Sequence, residues 1–412
     1  MTPKRRPSSS EQPPAGPRPP SKPSPGASSP ADDSAVRSAE LTDLIRTEIE
    51  GAPDGRITFA RFMERALYEP RLGYYRQRAD RPTDAGDFLT APETHPIFGR
   101  TIARRIEEMW ANLDRPSPFD LIEYGAGSGT LGLSILDGLR RHGSDDLLHS
   151  IRYEPAESNP YRLADLYQEF EENGLADRLV SSSPDGSAGE PASEESVPVV
   201  GVILANEFLD ALPVHRVVVR GGKLLELFVV WRDRFAEVVA EPSTPELAAR
   251  LADDGIEPSQ LAEGQVAEIC LGLELWLDDV AARLARGFAL VIDYGYPAAE
   301  LYGPRRLAGS LLGYRSHRVV DDPFADVGLT DLTAHVDFTA LGRLAERRGF
   351  VSAGLTTQQE FLVAAGLESE LQALQASPEL TLADYTRARS GILRMLDPRH
   401  MGRFRVLTLE RR

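Results

Sequence analysis

One stretch of this chain constrains its fold more than any other: residues 120–131 read DLIEYGAGSGTL. A short apolar run closes on an acid, Glu123, and opens into glycines at alternate positions, Gly125, Gly127 and Gly129. A helix-compatible segment follows over residues 130–139. Glycine lets a backbone turn sharply and lets a ligand approach it closely. The stretch therefore reads as the first strand of a nucleotide-binding α/β domain passing into its first helix.

The spacing separates two cofactor classes. A dinucleotide fingerprint needs G-x-G-x-x-G. Here Thr130 stands where the last glycine would be, which argues against a nicotinamide enzyme. An acid at the strand end followed by G-x-G-x-G suits S-adenosylmethionine instead. That cofactor brings an adenosine, an amino-acid end and a sulfonium, and no pyrophosphate to rest on a helix N-terminus. A second acid is expected at the end of the next strand, to hold the ribose hydroxyls. Glu154 and Glu157 both fall one helix and one strand beyond the glycines. Glu157 is preferred, because Ser158, Asn159 and Pro160 after it read as a helix cap and first turn.

A chain of 412 residues, 42% of them hydrophobic, can bury a sizeable core. The net charge of −17 argues against a nucleic-acid surface. An acidic body suits a basic peptide or protein partner, or is simply a solvated surface. The one cysteine, Cys270, excludes an intrachain disulfide and a cysteine zinc cluster, and fits a reducing compartment. Seven histidines are scattered without ligand spacing, so no metal is expected. No apolar run approaches the length of a membrane span. The basic N-terminus lacks the apolar core of a secretory signal.

Residues 1–38 are rich in Pro, Ser, Gly and Ala and read as a disordered tail, with a transit peptide as the minor alternative. Residues 39–118 read as an N-terminal helical cap. Residues 119–412 read as the sheet domain, with strands at 119–124, 151–155, 199–205, 289–293, 351–356 and 403–410. Early alternation of strands and helices predicts an α/β, mostly parallel, doubly wound sheet. Two β-runs flank RGGK at 220–223 as a hairpin, and residues 246–286 read as helices. Together they form an insertion at about 213–286, placed between the fourth and fifth strands. Residues 181–196 read as a solvated acidic loop.

Several other segments carry chemistry. In GDFLTAPE, residues 86–93, Thr90 reads as a helix cap with Glu93 completing it. In NEFLDALP, residues 206–213, Asn206, Glu207 and Asp210 follow directly on a strand, where ligands of open α/β sheets bind. The plainer reading is a capped loop ended by Pro213. IDYG, residues 292–295, ends the next strand at the same rim, and YRSHR follows at 314–318. In DLTAHVDF, residues 331–338, His335 and Asp337 share a strand face and read as a local hydrogen bond or cap rather than a catalytic pair.

In this order, GDFLTAPE, EYGAGSGTL, NEFLDALP, DYG, YRSHR and DLTAHVDF resemble the MidA-like family, over roughly residues 57–366. The resemblance implies a class I, Rossmann-like fold that uses S-adenosyl-L-methionine to transfer methyl groups. The family's mitochondrial member, a complex I assembly factor, methylates an arginine of a complex I subunit. By this resemblance Glu123, the glycine turn and Glu157 hold the cofactor. Asp87, Thr90 and Glu93 close over it from the N-terminal cap, and Asn206, Glu207 and Asp210 face the methyl acceptor. The family often carries G-P-G-R-G in its turn, where this chain has Ala126 and Ser128. Ser310, Leu311 and Leu312 stand where Gly-Thr-Leu-Arg-like text is common. The changed turn still suits the cofactor but leaves the substrate class more open.

The expectation is methyl transfer to an arginine nitrogen of a protein, such as a respiratory-complex-like subunit. Glu207 and Asp210 would orient the guanidinium and receive its proton, with Asp87 and Glu93 in reserve. The rival readings are a scaffold that keeps the fold without transferring anything, and a small-molecule methyltransferase. A composition rich in Ala, Arg, Gly and Pro suggests a bacterial cytoplasm; a eukaryotic source would imply the mitochondrial matrix.

Overall fold

The computed structural model describes residues 30–77, 91–180, 197–315, 318–376 and 381–412, with side chains from residue 33 on. Helix α1 (Pro30–Gly51) begins ahead of the boundary read at residue 38 and leads to α2 (Phe59–Tyr68) and α3 (Ile97–Asn112). Strand β1 (Phe119–Tyr124) runs into α4 (Thr130–His142), and β2 (Ile151–Ala156) into α5 (Pro160–Glu172). Strand β3 (Val199–Asn206) precedes the insertion. Helix α6 (Leu273–Arg283) returns the chain to β4 (Leu284–Asp293). Then come α7 (Phe338–Glu346), β5 (Val351–Thr357), α8 (Leu382–Leu396) and β6 (Arg405–Arg411).

The six strands form one sheet in the order β5-β6-β4-β3-β1-β2. β2, β1, β3 and β4 are mutually parallel; β6 is antiparallel to β4 and β5 antiparallel to β6. All six residues of β1 are buried, as befits an inner strand covered on both faces. Alternate residues face opposite sides. Leu121, Val202, Leu204 and Leu290 pack toward α3 and α4, whereas Ile122, Ile203 and Val291 pack toward α6 and α7. Parallel strands bring their carboxyl ends to one rim. Glu123, Glu157, Asn206 and Asp293 all arrive there.

Counted along the chain, the insertion falls between the third and fourth strands of this sheet, not the fourth and fifth. The segment that could have supplied another strand beside β2 makes only a single parallel bridge, Tyr153 to Leu179.

The cap and the insertion, read from the sequence as separate features, are joined. His215–Arg220 and Lys223–Trp231 form the hairpin announced by RGGK, with Gly221 and Gly222 both at positive φ. Ile57–Thr58 of the cap pairs with Lys223–Trp231, opposite Val229 and Phe228. Leu41, Ile45, Phe62, Met63, Val229 and Phe235 fill one core beneath. Residues 246–286 are not all helical: Glu246–Asp253 and α6 are helices, but Val266–Ile269 is a strand on His215–Arg220. Four residues are too few for periodicity to separate strand from helix. Here the free edge of the hairpin decides, and Ala267 and Ile269 are buried with Val217 and Val219.

Candidate active site

The turn after β1 is built for close approach. Gly125, Gly127 and Gly129 have φ of +68°, +56° and +80°. A side chain at Gly125 would meet Phe208 at 2.9 Å, and one at Gly129 would meet Leu166 at 2.7 Å. At Gly127 the nearest atom is Arg162 Nη1, at 3.6 Å. The outer glycines are therefore dictated by packing, while the middle one leaves room for a ligand on the backbone.

Glu157 is tied to that turn. Its Oε2 accepts the Gly127 N–H at 2.8 Å and its Oε1 the Asn159 N–H at 2.7 Å. Asn159 caps α5 by accepting from the N–H groups of Tyr161 and Arg162, and Pro160 opens the helix. Glu154 is engaged elsewhere, accepting from Arg283 Nη1 at 2.7 Å, so of the two candidate acids Glu157 stands beside the glycines. The open space over Gly127 and a carboxylate at the end of β2 fit an adenosine with ribose hydroxyls.

Glu123 lies beneath the turn. It is 4% exposed, accepts the Tyr153 hydroxyl at 2.7 Å and is bonded by the Gly132 N–H. Burial pushes its carboxyl up from 4.5 to about 8. A carboxyl raised in the fold contributes stability that is full below the unfolded value and lost as pH climbs to the folded one. Unfolding free energy is thus expected to fall between pH 4.5 and about 8 on account of this group. Glu123→Gln, which keeps the shape, should reduce that slope by close to one proton in urea titrations across this window. An unchanged slope would mean that Glu123 is ionised in the fold.

The next two strand ends converge on a second set of acids. After β3 the chain turns through Glu207 at φ +48°, a left-handed conformation that costs a non-glycine residue about 1–2 kcal/mol. Glu207 Oε2 accepts the Tyr294 hydroxyl at 2.9 Å. Its Oε1 accepts the Ala91 N–H at 3.2 Å and Asn206 Nδ2 at 3.4 Å. Burial, with smaller pressure from Asp293 and Glu93, pushes Glu207 up to about 8. Asn206 Oδ1 is buried and has no donor among the described residues. Asp293, fully buried, accepts the N–H groups of Phe208, Leu209 and Asp210 at 3.2, 2.8 and 3.3 Å and so holds the turn Leu209–Ala211. Asp210 is 5% exposed and is raised well above the ordinary carboxyl range by burial, then by Asp293, Asp331 and Glu207.

Tyrosines complete the wall. Tyr68 donates to Ala211 O at 2.9 Å, Tyr75 donates to Asp331 Oδ1 at 2.7 Å, and their rings stack 5.5 Å apart. Asn159 Nδ2 holds the carbonyls of Tyr75 and Gln77. The segment from Tyr68 to Gln77 thus bridges the end of β2 and the acidic turn.

Of the residues singled out from sequence, Gly125, Gly127, Gly129 and Glu157 form one cluster with Glu123 below, and Asn206, Glu207 and Asp210 form the second. Glu93 is exposed on Ala91–Thr94, close enough to act on Glu207 electrostatically. Asp87 and Thr90, with the cap read at Thr90, lie outside the described residues. Asp337 caps α7 through the N–H groups of Thr339 and Ala340, in line with the local-cap reading. Sequence reasoning placed Asp293 and Tyr294 at the rim in IDYG, and Asp331 in DLTAHVDF, without giving any of them a role. It passed over Tyr68 and Tyr75.

Residues 101–356 match the family model Methyltransf_28, of S-adenosyl-L-methionine-dependent methyltransferases. The chain is 30% identical to a mitochondrial "Protein arginine methyltransferase NDUFAF7 homolog" of Drosophila melanogaster, covering 93% of this chain and 87% of that protein. It is 28% identical to the Homo sapiens mitochondrial protein arginine methyltransferase NDUFAF7, covering 86% and 80%. Among solved structures, a COG1565 superfamily protein of Burkholderia thailandensis bound to S-adenosyl-homocysteine superposes with a TM-score of 0.77. It is 31% identical, with 95% of each chain covered. Among the described residues no helix is long and apolar enough to cross a membrane.

Proposed function

Because the chain belongs to this family of S-adenosyl-L-methionine-dependent methyltransferases, we propose that it methylates a guanidinium nitrogen of arginine in a protein substrate. We assign Gly125, Gly127, Gly129 and Glu157 to the cofactor, with Asp87, Thr90 and Glu93 as its expected contacts from the N-terminal side. Glu123, expected to touch the cofactor, is buried beneath the turn on the Tyr153 hydroxyl and the Gly132 N–H, and we assign it to the shape of the turn. Bound there, the cofactor supplies an electrophilic methyl group on a sulfonium that leaves readily. The protein's share is position and charge.

The observation that carries the reading is the buried Asn206 Oδ1, with no donor among the described residues, beside two carboxyl groups, Glu207 and Asp210. A guanidinium presents five N–H donors in a planar fork and stays charged in proteins. Asn206 Oδ1 would take one donor and the carboxylates the others. The arriving cation favours ionisation of both acids, so binding releases protons. The nitrogen must then shed a proton as it gains its methyl group. Glu207, oriented by the Tyr294 hydroxyl and the Ala91 N–H, is the acceptor we assign. The names of the relatives support arginine, and the acidic body suits a basic segment of a partner. We place the reaction in a reducing compartment, the bacterial cytoplasm or the matrix of a mitochondrion.

The test is to incubate the enzyme with methyl-labelled S-adenosylmethionine and a cell extract, then hydrolyse the protein fraction completely. Label in methylarginines is expected. Label in another amino acid or in small molecules would overturn the acceptor. An extract left unlabelled would favour the scaffold.

A further inference from the structure

Next to the acidic cluster of Glu207 and Asp210 stands a cluster of opposite charge. Ala334 N donates to Asp210 O at 2.9 Å, so the following residue, His335, lies one step from the acids. Its ring lies 5.5 Å from that of Tyr296. Arg306 stacks over Tyr296 at 4.1 Å and donates to His335 Nδ1 at 3.3 Å. Arg405 lies over the same ring at 5.6 Å. Glu300 is 3.5 Å from its Nη2, and its Nε is buried with no acceptor among the described residues. Arg403 is exposed just ahead of β6, whose Arg405 is in register with Asp293 of β4. Among the described residues neither Arg306 nor Arg403 makes an ion pair. His335 is held neutral, pushed down to about 4 by burial and then by Arg306 and Arg403. In a chain of charge −17, guanidinium groups gathered with one exposed acid, Glu300, paired among them offer a place for an anion from outside.

The sheet order says whose anion it is. The cofactor turn follows β1, and the cations gather past the end of β4 and at the start of β6, two to three strand spacings away, or about 10–14 Å. The acidic cluster, at the ends of β3 and β4, lies between. A group on the far side of that cluster from the cofactor meets the acceptor, not the cofactor's own carboxylate.

We propose that Arg306, Arg403 and Arg405 bind the side-chain carboxylate of an Asp or Glu within about three residues of the methylated arginine, a reach set by ~3.3 Å per extended residue. The site is then bipolar: carboxylates for the arginine, guanidinium groups for its acidic neighbour. This rests on the arginine reading given above.

The experiment uses extract proteins as the probe, with methylated positions mapped by mass spectrometry. Wild type is compared with Arg403→Gln and with Arg306→Gln/Arg403→Gln. Sites labelled by wild type are expected to carry Asp or Glu within three residues. The double variant should label them at least tenfold more slowly at limiting extract and recover at high extract, with unchanged calorimetric affinity for S-adenosylhomocysteine. Arg403→Gln, a change at an exposed position, should show part of the same loss. Labelled arginines without acidic neighbours, or variants that match wild type, would overturn the subsite. If no arginine is labelled by any form, the reaction assignment fails instead.

Discussion

Glu207→Gln is expected to slow methyl transfer by about 10²–10⁴-fold, the usual worth of a positioned proton acceptor, while S-adenosylhomocysteine binds as before. The amide keeps the shape and can still accept from the Tyr294 hydroxyl and the Ala91 N–H. It can neither carry the charge that faces a guanidinium nor take its proton. The loss should appear in kcat as well as in kcat/KM, because the proton leaves only as the nitrogen reacts. Asp210→Asn should affect binding more than turnover, because Asp210 is assigned to hold the guanidinium and not to accept its proton. Single-turnover rates and calorimetry on the same preparations separate these effects. A Glu207→Gln enzyme with normal turnover would remove Glu207 from the chemistry.

Gly127→Val is expected to abolish cofactor binding, with at least a hundredfold loss of S-adenosylhomocysteine affinity, and to leave the fold standing. At φ +56° a branched side chain is strained by about 1–2 kcal/mol. The nearest protein atom, however, is a flexible arginine tip at 3.6 Å, so the strain stays local. The added methyl groups would occupy the space over the backbone that the ligand needs. They would also disturb the N–H that Glu157 accepts at 2.8 Å. Gly129→Val is the informative contrast: a Cβ there would stand 2.7 Å from Leu166 and 3.1 Å from Phe170, so it should damage the packing of α5 and lower Tm itself. Normal calorimetric binding by a folded Gly127→Val protein would move the cofactor away from this turn.

The glycine turn was legible because its constraint is local: backbone angles and close approach are written in the residue type. The inner strands β1, β3 and β4 were legible for a similar reason, as largely apolar runs long enough to stand out, whereas β2, β5 and β6 mix polar and apolar residues. Val266–Ile269 was not, because its four residues become a strand only through the hairpin edge they meet. Nor could the joining of cap and insertion be read, since it depends on Ile57 meeting Val229 across the chain. The acid pair Glu207 and Asp210 could be placed from its position after a strand, but the groups that define its chemistry come from far away. Tyr75 reaches Asp331 across 256 positions, and Ala91 reaches Glu207 across 116. Asp293 was visible as a strand end, yet its role as the anchor of three backbone N–H groups required the fold.

The pH dependence of kcat/KM for the protein acceptor, measured on wild type and Glu207→Gln together, tests the central claim most directly. Glu207 is raised to about 8 and, in the proposed reaction, must be ionised to receive the guanidinium and its proton. Wild-type kcat/KM should therefore rise with pH and level off above about 8. The kcat profile should turn at lower pH, because the bound cation lowers that pKa. In Glu207→Gln the residual rate should lose this limb. The same limb in both proteins, or a wild-type rate that falls as Glu207 ionises, would contradict the account.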